Sequence, residues 1–291
     1  LRRQRQMCIR DRLNSIGAPT VAFSFLLSGA TPEVPAPEST HQVVEQTIDS
    51  NEKEDAVAAS NTTSVKTSTD QSLYGIDISS HQHTGSGESN IDIPKTVDGG
   101  ISYAFVKATE GTNYMNPHFR DDVINFIEKD TPVGFYHYAK PTDSTEEAKA
   151  QARLFVAVTG MDKGVKTIAP VLDIEENKEN LTSSQLVEWT HAFVDEVKNL
   201  TGMDVMIYTY PNFWTGEMGN TTEFSHLPLW IASYNDKTHP GNIPGGWDTW
   251  TFWQYTSKGK VDGYGGKIDL NVFNGTPEEL KSMYTAKQEE K

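Results

Sequence analysis

Residues 132–175 read PVGFYHYAKPTDSTEEAKAQARLFVAVTGMDKGVKTIAPVLDIE, and this stretch decides the fold. It opens with a strand-sized run of aromatic and β-branched residues, Pro132 to Tyr138, and closes with another, Thr167 to Ile174. Between them Ser144 stands three residues before Glu147, the spacing of a capping box, ahead of the apolar positions Ala148, Leu154 and Phe155. Strand, helix and strand in this order predict parallel pairing, with the helix covering one face of the sheet.

The alternation extends in both directions. Further strand-sized runs fall at Tyr74–Ile78, Ser102–Ala108, Asp204–Tyr210, Pro228–Ala232, Thr249–Tyr255 and Ile268–Phe273. Phe119, Val123, Phe126 and Ile127 form one helical stripe; Leu186, Trp189, Phe193, Val197 and Leu200 form another, closed by Gly202. Trp189, inside a stripe, reads as core. About eight strands with interleaved helices in about 200 residues predict an α/β fold, a small irregular TIM-like (β/α) barrel in a single domain. The last three strands are too closely spaced for full helices between them, so irregular closure is expected there.

All six Trp and all eleven Tyr lie beyond Leu73, which places the folded unit at residues 73–276 and leaves 277–291 as a polar tail. Residues 31–72 hold no aromatic and are rich in Ser, Thr, Glu, Pro and Asp, the composition of a disordered acidic linker. Residues 1–30 run from basic to apolar to small, the order of a secretory signal peptide, with a non-native leader as the alternative. The apolar run from Ala18 to Ala30 is too short to span a bilayer, so the expectation is a secreted, extracellular protein with no stable membrane insertion. The formal charge is −15, and without residues 1–30 there remain 20 basic against 39 acidic residues. That balance argues against nucleic acid as a partner. Cys8 is the only cysteine, which excludes a disulfide scaffold, a thiolate zinc site or a cysteine nucleophile in the body of the chain.

In a barrel, chemistry gathers at the carboxyl ends of the strands. The first strand carries Asp77, the fourth ends in Asp173 and Glu175, and the eighth carries Asp269. Residues i and i+2 of a strand face the same side, so Asp173 and Glu175 project together with Cα atoms about 6–7 Å apart. Strands one and eight are neighbours in a closed barrel, which brings Asp77 and Asp269 to the same mouth. Four carboxylates in one cup disfavour joint ionisation, so one keeps its proton near neutrality beside ionised neighbours. An acid next to an anion is what cleavage of a glycosidic bond requires. Any one of these residues alone reads as a strand-end cap or part of a solvated rim. A Ca²⁺ or Mg²⁺ site is a third reading, although no loop shows repeated Asp/Asn ligand spacing. No metal and no cofactor is expected: His81, His83 and His137 have mixed spacing in cysteine-free surroundings, and His137 reads as a buried structural histidine.

Several ordered motifs then resemble one family. Asp77-Ile78-Ser79-Ser80-His81-Gln82, followed by Phe105-Val106-Lys107-Ala108-Thr109-Glu110-Gly111 with Tyr114 and Asn116, is similar to the signature of glycoside hydrolase family 25 lysozymes. Gly134-Phe135-Tyr136-His137-Tyr138, Leu172-Asp173-Ile174-Glu175, Ile207-Tyr208-Thr209, Leu229-Trp230-Ile231-Ala232 and Phe252-Trp253-Gln254-Tyr255 continue the match in order. His83 departs from it, standing where the family more often has a small or acidic residue.

The resemblance implies an N-acetylmuramidase that cuts the β-1,4 bond between N-acetylmuramic acid and N-acetylglucosamine. Its partners would be the glycan strands of peptidoglycan, and it would act as a secreted, wall-associated monomer. It implies Glu175 as general acid, and Asp173 as stabiliser of developing charge or orienter of the substrate's N-acetyl group. Asp77 and Asp269 would complete the floor. Tyr114, Tyr138, Tyr208 and Trp253 fall at or just beyond strand ends, where rings can stack on pyranose faces. Lys107 and Glu110 lie beside them and suit N-acetyl or lactyl groups. Two rivals remain: a family 18 chitinase, whose Asp-x-x-Asp-x-Asp-x-Glu run is absent here, and a non-catalytic wall-binding barrel, against which the four carboxylates argue.

Overall fold

The computed structural model describes residues 72–83, 90–235 and 238–285. The leader expected at residues 1–30 lies outside the described residues, as does the linker expected at 31–72 apart from Ser72. Nine strands form one sheet. They are β1 (Leu73–Ile78), β2 (Tyr103–Glu110), β3 (Tyr114–Met115), β4 (Val133–Tyr138), β5 (Pro170–Asp173), β6 (Met206–Thr209), β7 (Leu229–Ala232), β8 (Phe252–Gly259) and β9 (Ile268–Phe273). Their order is β1-β9-β8-β7-β6-β5-β4-β2-β3, and β1 also pairs with β2, so eight strands close into a barrel and β3 hangs on β2 as a two-residue hairpin strand.

From β1 through β2, β4, β5, β6 and β7 to β8 every pairing is parallel, as the strand–helix alternation predicts. The eighth barrel strand departs from that pattern. β9 runs antiparallel to both β8 and β1, because only residues 260–267 separate it from β8 and a parallel return needs a crossover of a dozen or more residues. Asp269 therefore stands near the start of its strand and still reaches the mouth, where it is the register partner of Asp77.

The helices are α1 (Ile93–Asp98), α2 (Phe119–Glu128), α3 (Thr145–Thr159), α4 (Ser183–Thr201), α5 (Pro211–Gly216) and α6 (Pro277–Met283). Ser144 caps α3 by accepting from the Glu147 amide, and Gly160 ends it in the left-handed conformation. A full reciprocal capping box opens α4 at Thr182 and Gln185. The stripe Leu186, Trp189, Phe193 and Val197 is buried, as its 3.6-residue spacing predicts. Segment 277–283, expected as part of a polar tail, is instead helix α6. Thr276 and Glu279 form its capping box, Leu280 is buried, and Thr285 pairs with Thr167. One apolar residue per turn is too weak a sequence signal for a docked helix.

Strand parity sorts the core into two layers. Ile76, Val106, Phe135, Leu172, Ile207 and Ile231 face outward, into the layer shared with the helices. Tyr103, Phe105, Val171, Met206, Trp230, Phe252 and Phe273 face inward and fill the barrel. Phe105 stacks on Trp230 at 4.3 Å and meets Phe252 edge-on at 5.0 Å. These rings need space on the neighbouring strands, and Gly75 and Gly134 provide it: a Cβ there would overlap the rings of Tyr103 and Phe105. The aromatic plug forms the floor on which the polar upper half of the barrel stands.

Candidate active site

One residue pair further up most of the strands, the inward positions change from apolar to polar or ionisable. Asp77 follows Gly75, Lys107 follows Phe105, Tyr138 follows Tyr136, Asp173 and Glu175 follow Val171, and Gln254 follows Phe252. On β9, which enters from the mouth, Asp269 and Asn271 precede Phe273. Asp173 lies in register between Tyr138 of β4 and Tyr208 of β6.

The four carboxyl groups feel one another. Burial pushes Asp77 up to about 6, against the pull of hydrogen bonds from Asn271 and Gln254. Burial pushes Glu175 up to about 7, helped by the negative charges of Glu176 and Asp77 and opposed by Lys107 and Lys140. Asp269 rises to about 8, first through burial and then through Asp77 and Glu175. Asp173, only 7% exposed, is held well above the ordinary carboxylate range by burial and by Glu175, with Lys107 opposing. Its Oδ1 is buried and has no hydrogen-bond partner among the described residues.

A wall of alternating charge stands beside the cup. Lys107 Nζ donates to Glu110 at 2.6 Å and lies over the rings of Tyr138 at 4.6 Å and Tyr114 at 5.5 Å. Lys140 bridges Glu110 at 3.1 Å and Glu176 at 2.8 Å, and the Tyr138 hydroxyl donates to Glu176 at 2.8 Å. Tyr114 hydrogen-bonds Ser80 at 2.9 Å. Glu110 and Glu176 are thereby drawn below the usual range although burial works the other way. Lys107, Glu110, Tyr114 and Tyr138 thus share one side of the mouth.

Of the expected sugar platforms, Trp253 is turned away from the barrel interior and Tyr208 is buried beside the carboxyls. Trp253 alternates with Phe252 and Gln254, so it faces outward; it is 5% exposed, and its indole N–H donates to the Ser233 carbonyl at 2.8 Å. Tyr208 does face inward but is 9% exposed, packed edge-on against Trp230, with its hydroxyl on Gln254 at 3.0 Å. The exposed rings are Tyr210 and Tyr234, and the charge of Glu175 reaches both. Strand parity alone points to the residues that were passed over. Lys140 lies two beyond Tyr138, Tyr234 two beyond Ala232, and Asn271 two beyond Asp269.

His137 is buried between Thr109, at 2.8 Å from Nδ1, and Gln151, at 2.9 Å from Nε2. Gln151 Oε1 also accepts from the Lys140 amide, so Nε2 carries the proton and the ring, held down to about 4, is neutral. Among the described residues no group of three or more His, Cys, Asp or Glu side chains could hold a metal ion.

A barrel mouth lined by mutually perturbed carboxyls, with an ion-paired aromatic wall, is the site of a glycosidase class. The chain belongs to glycosyl hydrolases family 25, whose family model matches residues 76–264. Lysozyme M1 of Streptomyces globisporus is 33% identical over 218 residues, covering 72% of this chain and 71% of that protein. The N,O-diacetylmuramidase of a Chalaropsis species is 31% identical over 226 residues, covering 73% of this chain and 99% of that one. Among solved structures, a family 25 lysozyme from Aspergillus fumigatus superposes with a TM-score of 0.65 at 32% identity, over 74% of this chain and all of the other.

Proposed function

We propose that the chain is a muramidase that hydrolyses the β-1,4 bond between N-acetylmuramic acid and N-acetylglucosamine in peptidoglycan. Family membership and relatives named lysozyme and N,O-diacetylmuramidase support this reading. The observation that carries the mechanism is Glu175, pushed up to about 7 at the mouth while Asp77 ionises at about 6. Near neutrality Glu175 can give its proton to the glycosidic oxygen as the C–O bond breaks and the electron pair leaves on that oxygen. Asp77 supplies negative charge to the oxocarbenium-like centre left behind. Asp173, whose Oδ1 has no hydrogen-bond partner among the described residues, is available to orient the substrate's N-acetyl group. Asp269 closes the floor. Lys107, Glu110, Tyr114 and Tyr138 form the sugar-facing wall, and Tyr210 and Tyr234 take the platform role first given to Trp253 and Tyr208. We read residues 1–30 as an export leader and 31–72 as a spacer, consistent with a substrate outside the cell. Among the described residues no helix is long and apolar enough to cross a membrane.

Mass spectrometry of fragments released from purified peptidoglycan tests the reading. Muropeptides with reducing N-acetylmuramic acid ends are expected. The Glu175→Gln protein should release them about 10²–10⁴-fold more slowly at similar KM. Reducing N-acetylglucosamine ends, or cleavage of chitin alone, would refute the assignment of the bond. Undiminished lysis by Glu175→Gln would refute the assignment of the acid.

A further inference from the structure

Behind Asp77 two side-chain amides converge on a single oxygen. Asn271 Nδ2 donates to Asp77 Oδ2 at 2.8 Å, and Asn271 Oδ1 accepts the indole N–H of Trp230 at 2.8 Å. An indole N–H can only donate, so Trp230 fixes which end of the Asn271 amide faces Asp77. Gln254, the register partner of Asn271 across β8 and β9, donates from Nε2 to the same Oδ2 at 2.9 Å. Its Oε1 is taken by two hydroxyls, Tyr208 at 3.0 Å and Tyr234 at 2.6 Å. Trp230, Tyr208, Gln254 and Asn271 are buried, whereas Tyr234 reaches in from the rim with its residue 56% exposed.

We propose that Gln254 and Asn271 are positioning residues for Asp77: with both amides oriented from behind, Oδ2 is purely an acceptor, a proton on Asp77 is confined to Oδ1, and Oδ1 is the oxygen presented to substrate. A proton on Oδ2 would be driven against two N–H donors that meet no other acceptor among the described residues, and neither amide can turn over, because its far oxygen is already engaged. The same bonds oppose the burial that lifts Asp77, and so keep it below Glu175 and Asp269. Tyr234 acts one step further back, through Gln254. The catalytic consequence rests on the reading above that Asp77 supplies the anion.

The test follows the Asp77 carboxyl directly, by ¹³C NMR titration of its side-chain carbon, identified as the resonance missing in Asp77→Asn. Two variants are compared with the wild type. Gln254→Met removes one amide at nearly constant volume. Tyr234→Phe removes one hydroxyl at an exposed position where the fold does not depend on it. The Asp77 midpoint should rise by about one pH unit in Gln254→Met and by less in Tyr234→Phe. The acid limb of kcat/KM should move upward with it. A midpoint that stays put in both folded variants, even with reduced kcat, overturns the proposal. If Gln254→Met does not fold, Tyr234→Phe decides alone. A midpoint that moves while the kcat/KM profile does not would uphold the positioning and instead overturn the reading of Asp77 as the anion.

Discussion

Asp77 and Glu175 share one cup, and what separates their chemistry is the set of donors each one meets. Burial lifts Asp77 only to about 6 because two oriented amides oppose it, while burial with the negative charges of Glu176 and Asp77 lifts Glu175 to about 7. The productive state has Asp77 ionised and Glu175 protonated. Its population falls below the first value, as Asp77 takes a proton, and above the second, as Glu175 loses one. The kcat/KM profile should therefore be a narrow bell with limbs near about pH 6 and about pH 7. Measured on soluble glycan fragments, a profile flat from acid to alkaline conditions would exclude this pair. Asp77, Asp173 and Glu175 could be picked out in the sequence because they stand toward the carboxyl ends of apolar runs, whereas Asp269 stands near the start of its strand and was reached through the expected closure of the barrel. The division of labour among them was not legible, since it depends on Gln254 and Asn271, whose contacts with Asp77 span 177 and 194 positions.

At the level of strands, the barrel interior works by pairing rings with glycines. Phe105 occupies the space above Gly134 and stacks on Trp230 at 4.3 Å. Gly134→Ala would restrict the unfolded chain, which alone favours folding by about 0.4–1 kcal/mol. The added methyl must displace a ring wedged between Trp230 and Phe252, and overpacking of this kind costs about 1–3 kcal/mol. The net change should be destabilising, read as a lower urea midpoint with an unchanged m value. A midpoint equal to or above that of wild type would mean the ring has room to retreat. Seven parallel barrel strands and the two long helical stripes could be read in advance because periods of 2 and 3.6 residues leave a mark on every turn. Short or weakly apolar pieces left none: β3 has two residues, and α6 docks through Leu280. Trp253 was misplaced for a different reason. Residue type argued for a sugar platform, but its position between Phe252 and Gln254 turned it toward the helices, and parity is the stronger constraint.

Over the whole molecule, the raised carboxyls tie stability to pH. Asp269 at about 8, and Glu175 and Asp122 at about 7, hold protons in the native state that the unfolded chain releases at ordinary carboxylate values. Raising the pH through that window costs stability. His137 works in the opposite sense, since it is neutral when folded down to about 4 and takes a proton below the ordinary histidine value of about 6.5 when unfolded. The fall in Tm should therefore be clearest between about pH 6.5 and about pH 8, above the histidine's window and within that of the acids. Asp269→Asn should flatten this fall and melt higher than wild type at the alkaline end, a gain in stability at the expense of the site. A Tm that rises over the same interval would contradict the burial of these groups. The antiparallel last strand also gives the enzyme an order in time. A chain growing on the ribosome carries Asp77 through 194 further residues before Asn271 emerges to meet it, with Asp269 beside it only at that point. Until β9 arrives the sheet has two open edges and the cup lacks one side. A chain cut short before Ile268 lacks both Asp269 and Asn271, and it should release no fragments from purified peptidoglycan.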